Sequence, residues 1–106
     1  MAKFLYVFAY QTPAQVEAAA VGGYAEESSE AVFIEAESAE QALDWGKQIS
    51  EDFLKRLFPE GDISWKRLNF AHWIEADPQA EYPADLLESL PVVACGVRPQ
   101  FNNPRQ

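Results

Sequence analysis

Cysteine and histidine are nearly absent from this chain, whose 106 residues include one of each. A single cysteine forms no intramolecular disulfide, and one cysteine with one histidine cannot supply the ligands of a structural zinc site. The chain also lacks the segments G-x-x-x-x-G-K-[ST], G-x-G-x-x-G, G-x-S-x-G and H-E-x-x-H, which bind phosphates or carry nucleophilic and zinc chemistry. We therefore expect no metal site and no cofactor, and the missing catalytic motifs favour a non-catalytic protein over an enzyme.

Basic residues are also scarce, with 8 Lys and Arg against 17 Asp and Glu and a net charge of −9. That balance argues against a nucleic-acid-binding protein that works by neutralising phosphates. The excess is concentrated in residues 1–53, which hold two lysines and ten acidic residues. An acidic surface of this kind either keeps the protein soluble or attracts a basic protein partner.

Long apolar segments are missing as well, and no window approaches the ~20 apolar residues of a membrane-spanning helix. The most apolar run, residues 4–10, follows Lys3 and loosely imitates a secretory signal. Because the run is short, contains two tyrosines and is followed by polar residues, we interpret it as a strand buried on both faces at the centre of a sheet. With no disulfide to form, we expect a cytoplasmic protein that makes no membrane contact.

Two segments carry the signature of a helix N-terminus. Residues 12–15 read Thr-Pro-Ala-Gln and predict a short helix over residues 13–21 that stops at a glycine pair. Residues 38–41 read Ser-Ala-Glu-Gln and predict a long helix over residues 38–57 that ends before Pro59. At about 100° per residue its apolar side chains share one arc. The predicted buried stripe comprises Ala39, Ala42, Leu43, Gly46, Ile49, Phe53 and Leu57, and a glycine within it indicates a close approach to the sheet.

Further strands are predicted over residues 31–35, 63–75 and 92–97, with a short helix over residues 84–90. The apolar alternation changes phase near residues 66–67, which indicates either a β-bulge or a loop. We predict a single domain over residues 1–106 of the α+β class: one mixed or antiparallel sheet of about four strands with one long helix packed on one face and short accessory helices, as in a ferredoxin-like plait or a related arrangement. The polar residues near 22–30 predict a mobile segment. Residues 98–106 are predicted to form an irregular C-terminal tail.

Two side chains are weak candidates for catalysis. His72 has the only side chain whose ordinary pKa allows a change of charge near neutrality, so it is either a hydrogen-bonded histidine at the edge of the core or a general base. Cys95 lies in an apolar segment with no adjacent basic residue, as expected of a small buried residue rather than a reactive thiolate. A meeting of the two on adjacent strands would favour a catalytic role for Cys95.

Four residues are candidates for binding. If the bulge is present, Arg67 and Trp73 share the strand face opposite Ile74, a composition found at interaction hot spots. The alternative is that the last helix or the C-terminal tail covers Trp73. Trp45 lies at the boundary of its helix's buried stripe, and Tyr24, beside the glycine pair, either closes over a pocket or extends into solvent.

Three functions are compatible with these features. The one we favour is a small acidic, non-catalytic protein-interaction module that binds a basic protein partner or associates with its own copy. The second is a small-ligand-binding protein or enzyme with a pocket between sheet and helix near His72. The third is a structural homodimer formed through an edge strand. The net negative charge and the predicted position of Trp73 on the strand face opposite Ile74 support the first function.

Overall fold

A mixed four-stranded sheet in the order β3-β1-β2-β4 forms the middle of the protein. The computed structural model describes residues 2–22, 28–58 and 71–99. The strands are β1 (Ala2–Tyr10), β2 (Ser28–Ala36), β3 (Ala71–Glu75) and β4 (Val92–Ala94). The helices are α1 (Pro13–Ala20), α2 (Ala39–Leu57), α3 (Pro78–Glu81) and α4 (Ala84–Ser89). β1 is antiparallel to β2 and β3, whereas β4 is parallel to β2.

The predicted α+β class is confirmed, with α2 packed on one face of the sheet and short helices besides. Along the chain, α2 precedes β3 instead of following it, so the order of elements departs from that of the β-α-β-β-α-β plait. Of the predicted third strand, residues 71–75 are described, and the proposed bulge near residues 66–67 lies outside the described residues.

β1 lies at the centre of the sheet, as its apolar sequence predicts. It is flanked by β3 on one side and β2 on the other, and four consecutive residues, Leu5, Tyr6, Val7 and Phe8, are at most 3% exposed. The strand begins earlier than the prediction, because Ala2 and Lys3 pair with the end of β2. A strand with both faces covered carries no polar alternation, which explains the continuous apolar run.

β2 begins at Ser28, three residues before the predicted start of residues 31–35. Ser28, Ser29 and Glu30 were expected in the exposed segment, but they pair with the end of β1. The Tyr10 hydroxyl donates to Glu30 Oε2 at 3.0 Å, and the Ser28 hydroxyl donates to Gln15 Oε1 at 3.3 Å. Serine and glutamate have low intrinsic strand preference, so this pairing is set by β1 and not by local sequence. The rest of that segment, residues 23–27, lies outside the described residues.

α1 and α2 begin where their capping residues predict. Thr12 and Gln15 form a reciprocal capping box, with hydrogen bonds of 2.8 and 3.1 Å. At α2 the Ser38 hydroxyl accepts from the Gln41 N–H at 3.1 Å, but Gln41 Oε1 accepts from Glu37 instead of closing the predicted box with Ser38. At the N-terminus of each helix, a side-chain oxygen accepts a hydrogen bond from an otherwise unpaired backbone N–H.

The buried stripe of α2 is rotated relative to the prediction. Its buried residues are Ala42, Gly46, Ile49, Ser50 and Leu54, whereas Leu43, Phe53 and Leu57 flank the core and Ala39 is exposed. Ser50 was not expected inside because it is polar. It is buried with both roles of its hydroxyl satisfied: it accepts from the Tyr6 hydroxyl at 3.1 Å and donates to the Lys47 carbonyl at 2.9 Å.

Gly46 brings α2 directly onto the central strand, which confirms the predicted close approach. A Cβ built at this position overlaps the ring of Tyr6, which is fully buried. Glycine is therefore required here by the distance between helix and sheet.

The C-terminal elements differ from the prediction in three places. The last strand ends at Ala94 instead of extending over residues 92–97, because Gly96 has a φ of 91° and the Val97 N–H bonds the Ala94 carbonyl at 3.0 Å. α3 was not predicted as a helix, and the following helix ends at Ser89, one residue early. A positive φ favours glycine and ends the strand with a turn.

Candidate functional site

The sheet face opposite α2, here called the second face, carries the exposed tryptophan. Tyr6 and Phe8 contribute to the core beneath α2, so the alternate residues Leu5 and Val7 lie on the second face. The register places Glu75 beside Leu5 and Trp73 beside Val7. Trp73 is 38% exposed. This confirms the predicted face, because the neighbouring Ile74 packs against the core.

A partly open cavity of about 240 Å³ lies on the second face. Its lining comes from β1 and β2 on one side (Val7, Ser29, Glu30 and Ala31) and from the helical segment on the other (Tyr82, Leu86 and Leu90). The lining is mostly apolar. An apolar cavity of about 150 Å³ is large enough for benzene, whereas sites for drug-sized ligands run from about 300 to 1,000 Å³. The volume therefore matches one aromatic group.

Carboxylates are frequent in this part of the chain. Residues 71–97 contain Glu75, Asp77, Glu81, Asp85 and Glu88 and no lysine or arginine. Burial raises the pKa of Tyr82, and the nearby charges of Glu75 and Glu81 raise it further. Glu75 also accepts a long hydrogen bond from Trp73 Nε1 at 3.4 Å. Trp73, Glu75 and Tyr82 therefore form one neighbourhood at the edge of the cavity.

His72 lies on the other face of β3, toward α2. Its ring meets the Tyr6 ring edge-on, with centroids 5.8 Å apart. Burial lowers the pKa of His72 below its usual value, and the Lys47 ammonium lowers it further, against an opposing effect of Glu51. The imidazole is therefore mainly neutral at pH 7, and it is packed between sheet and helix, away from the cavity on the second face.

Cys95 does not meet His72. It follows β4, half-buried, with its Sγ 3.8 Å from the Gln41 carbonyl oxygen. β3 and β4 are the two opposite edges of the sheet, with β1 and β2 between them. Three strand spacings separate the edges by about 14 Å. The two residues therefore do not meet on adjacent strands, the arrangement that would favour a catalytic role for Cys95.

Trp45 holds the C-terminal segment against α2. It is half-buried, as its position at the stripe boundary predicts, and its Nε1 donates to the Val97 carbonyl at 2.9 Å. The Arg98 guanidinium lies 5.5 Å from the centre of the Trp45 ring and 3.4 Å from Asp52 Oδ2. The structure thus places Trp45 and Trp73 on different sides of the sheet.

The other two predicted binding residues, Arg67 and Tyr24, lie outside the described residues. Sequence reasoning missed Tyr82, Leu86 and Leu90 as parts of a site. The spacing of Leu86 and Leu90, one helical turn apart, was the available signal. It could not show which face of the sheet the segment covers.

In the part of the chain that the structure describes, no helix has the length and apolar character needed to span a bilayer. Within the same residues, histidine, cysteine and carboxylate side chains form no cluster of three or more that could hold a metal ion. Comparison with protein-family models, with curated proteins and with solved structures finds no match to this chain.

Proposed function

We propose that this protein is a non-catalytic interaction module that binds a basic protein partner through its second face. The observation that carries the proposal is Trp73, 38% exposed on a sheet face and in contact with the Glu75 carboxylate. Tryptophan is enriched at the energetic centres of protein interfaces, because its ring buries a large area with few rotatable bonds.

The charge around Trp73 selects the partner. Five carboxylates and no lysine or arginine lie within residues 71–97, and one of these carboxylates, Glu75, contacts the indole nitrogen of Trp73. The ion pairs formed between described residues both involve Asp52 on α2, on the other side of the sheet. A lysine or arginine of a partner can therefore pair with Glu75 and stack on the indole of Trp73 at the same time.

Self-association through this face is less favourable than binding a basic partner. Each copy carries a net charge of −9, and a symmetric contact would bring two acidic surfaces together. Like charges at an interface weaken association and slow the encounter, whereas a basic partner is attracted over about 10 Å at 0.1 M salt.

Catalysis receives less support from the geometry than binding. His72 packs between sheet and helix, and Cys95 lies at the opposite edge of the sheet. The cavity on the second face is lined by neither of them. A nucleophile and a base must lie within hydrogen-bond reach of each other to act together.

The test is selection of short random peptides displayed against the intact chain. We expect the enriched peptides to carry net positive charge and to bind less tightly as salt rises from about 50 to 500 mM, because screening weakens charge pairing. Trp73→Ala should lower the affinity of those peptides at least tenfold. Val21→Ala is the matched control, because Val21 is 82% exposed at the end of α1.

Two results would contradict the proposal. One is enrichment of neutral or acidic peptides, which would remove the role of the carboxylates. The other is unchanged affinity in Trp73→Ala with an unchanged circular dichroism spectrum, which would place the binding surface elsewhere.

A further inference from the structure

We infer that the cavity between the sheet and α4 is a socket for one aromatic side chain of the partner, next to a lysine or arginine in the same partner segment. This inference rests on the proposed function and adds the chemistry of the bound segment.

The size of the cavity selects an aromatic ring. Its volume of about 240 Å³ exceeds the space that holds benzene and falls short of a drug-sized site. A phenylalanine or tryptophan side chain fills such a space, whereas alanine leaves most of it empty. A ring seated there removes more apolar surface from water than a methyl group does, so the ring is favoured over a smaller group.

The walls of the cavity are suited to an apolar guest. Ala31 on the sheet side and Leu86 and Leu90 on the other side contribute aliphatic surface, and Val7 lies at the floor. Val7 is 3% exposed and anchored in the central strand. A rigid floor of this kind limits the conformational change needed on binding.

The other wall is loosely held and can adjust to the guest. α3 and α4 are short, neither has a side-chain cap hydrogen bond, and neither contains a buried residue. Leu86 on α4 is 43% exposed. Short uncapped helices with little burial open locally at small free energy, so this wall can move to admit a ring.

The flanking basic residue follows from the carboxylates at the rim. Tyr82 lines the cavity and lies within electrostatic reach of both Glu75 and Glu81. Trp73 adjoins Glu75. A ring seated in the cavity therefore brings the neighbouring residues of its own chain against carboxylates and an indole. Lysine and arginine side chains are favoured in such surroundings, because they pair with carboxylates and stack on aromatic rings.

Two synthetic peptides test the inference on the intact protein. One has a central phenylalanine with arginines on both sides, and the other replaces only that phenylalanine by alanine. We expect the phenylalanine peptide to bind at least tenfold tighter. Nuclear Overhauser effects should connect its ring protons to the methyl groups of Val7, Leu86 and Leu90, which line the cavity.

Substitutions in the protein locate the effect. Ala31→Phe fills the cavity and should abolish the preference for the phenylalanine peptide. Ala71→Phe is the matched control, because Ala71 lies on the same face in β3, is exposed and does not line the cavity. Leu86→Gln, at an exposed lining position, is the second variant if Ala31→Phe does not fold, and it should also reduce the preference.

The outcomes separate the inference from the proposed function. Equal affinity of the two peptides, or a preference that survives both Ala31→Phe and Leu86→Gln, overturns the socket and leaves the acidic interaction face intact. Failure of both peptides to bind at low salt contradicts the proposed function and the socket together. Ring contacts to other methyl groups would place the aromatic anchor outside the cavity and overturn the inference.

Discussion

Replacing Gly46 by alanine should destabilise the protein, although alanine is the better helix former. The substitution improves helix propensity in α2 by about 1 kcal/mol. The added Cβ, however, overlaps the Tyr6 ring, far inside the 3.4–4 Å of ordinary van der Waals contact. The ring would have to retreat by about 1 Å, and Tyr6 is 0% exposed, so no free space receives it.

The magnitude follows from two effects of that retreat. Overpacking a dense core costs about 1–3 kcal/mol. Moving the ring also weakens the buried hydrogen bond from the Tyr6 hydroxyl to Ser50 Oγ, which is 3.1 Å long. Leaving such a buried group poorly paired costs about 1–3 kcal/mol more. After subtracting the propensity gain, these ranges leave a net loss of about 1–5 kcal/mol, centred on about 3 kcal/mol. The central value corresponds to a fall in Tm of roughly 15 °C for a domain of this size.

Urea unfolding followed by circular dichroism measures this loss. Gln48→Gly, at an exposed position of the same helix, is the control that reports propensity alone and should cost about 1 kcal/mol. The double variant Tyr6→Leu/Gly46→Ala should lose less free energy of unfolding than the two single variants lose in sum, because the smaller side chain removes the overlap. A Gly46→Ala protein as stable as the natural one would refute the close contact between α2 and β1.

Three further predictions concern buried groups and backbone conformation. In thermal unfolding, Ser50→Ala should lower the free energy of unfolding by about 2 kcal/mol, and Tyr6→Phe by about 1 kcal/mol. Ser50→Ala leaves the buried Tyr6 hydroxyl without its acceptor. In Tyr6→Phe, by contrast, the Ser50 hydroxyl keeps its hydrogen bond to the Lys47 carbonyl. A proton NMR titration of the His72 imidazole should give a pKa below that of a histidine in the unfolded chain, because burial and the Lys47 charge lower the pKa of His72. By linkage, the stability contributed by neutral His72 is fully present above the unfolded pKa of about 6.5 and is lost as the pH falls through the folded value. Gly96→Ala should cost about 1 kcal/mol in urea unfolding, because its φ of 91° is unfavourable for a side chain although no atom lies within 4 Å of the new Cβ.

Each of these predictions has a contrary result. Equal losses in Ser50→Ala and Tyr6→Phe would show that the phenol finds another partner. An imidazole midpoint at or above that of the unfolded chain would mean that solvent or an acid, and not burial, sets the charge of His72. An unchanged midpoint of unfolding in Gly96→Ala would show that the turn after β4 tolerates another conformation.

Local signals in the sequence predicted the elements whose causes are local. The capping residues Thr12 and Ser38 gave the starts of α1 and α2, because a side-chain oxygen satisfies N–H groups only a few residues away. The apolar period placed Gly46 and Ile49 on the buried side of α2, and the unbroken apolar run placed β1 at the centre of the sheet. The alternation of side chains along β3 predicted that Trp73 and Ile74 lie on opposite faces of the sheet.

The candidate site was predicted only in part, because its walls come from distant parts of the chain. Trp73 was identified from its strand, but Val7 and Leu86, separated widely in sequence, line one cavity. The burial of Ser50 depends on a hydroxyl 44 residues away on another element. Such contacts depend on which surfaces meet after folding, and composition and periodicity do not encode that choice.

The sequence by itself determined that this is an acidic chain with one long amphipathic helix and a central apolar strand, since charge, capping and periodicity are properties of neighbouring residues. Tertiary structure alone decided that Ser28–Glu30 extend β2 and that His72 and Cys95 lie at opposite edges of the sheet. It also decided that Leu86 of α4 lies across a cavity from Val7 on the second face. Strand order and helix placement are settled by the total apolar area that each arrangement buries and by the hydrogen bonds it completes. Those quantities belong to the whole fold, not to any one segment.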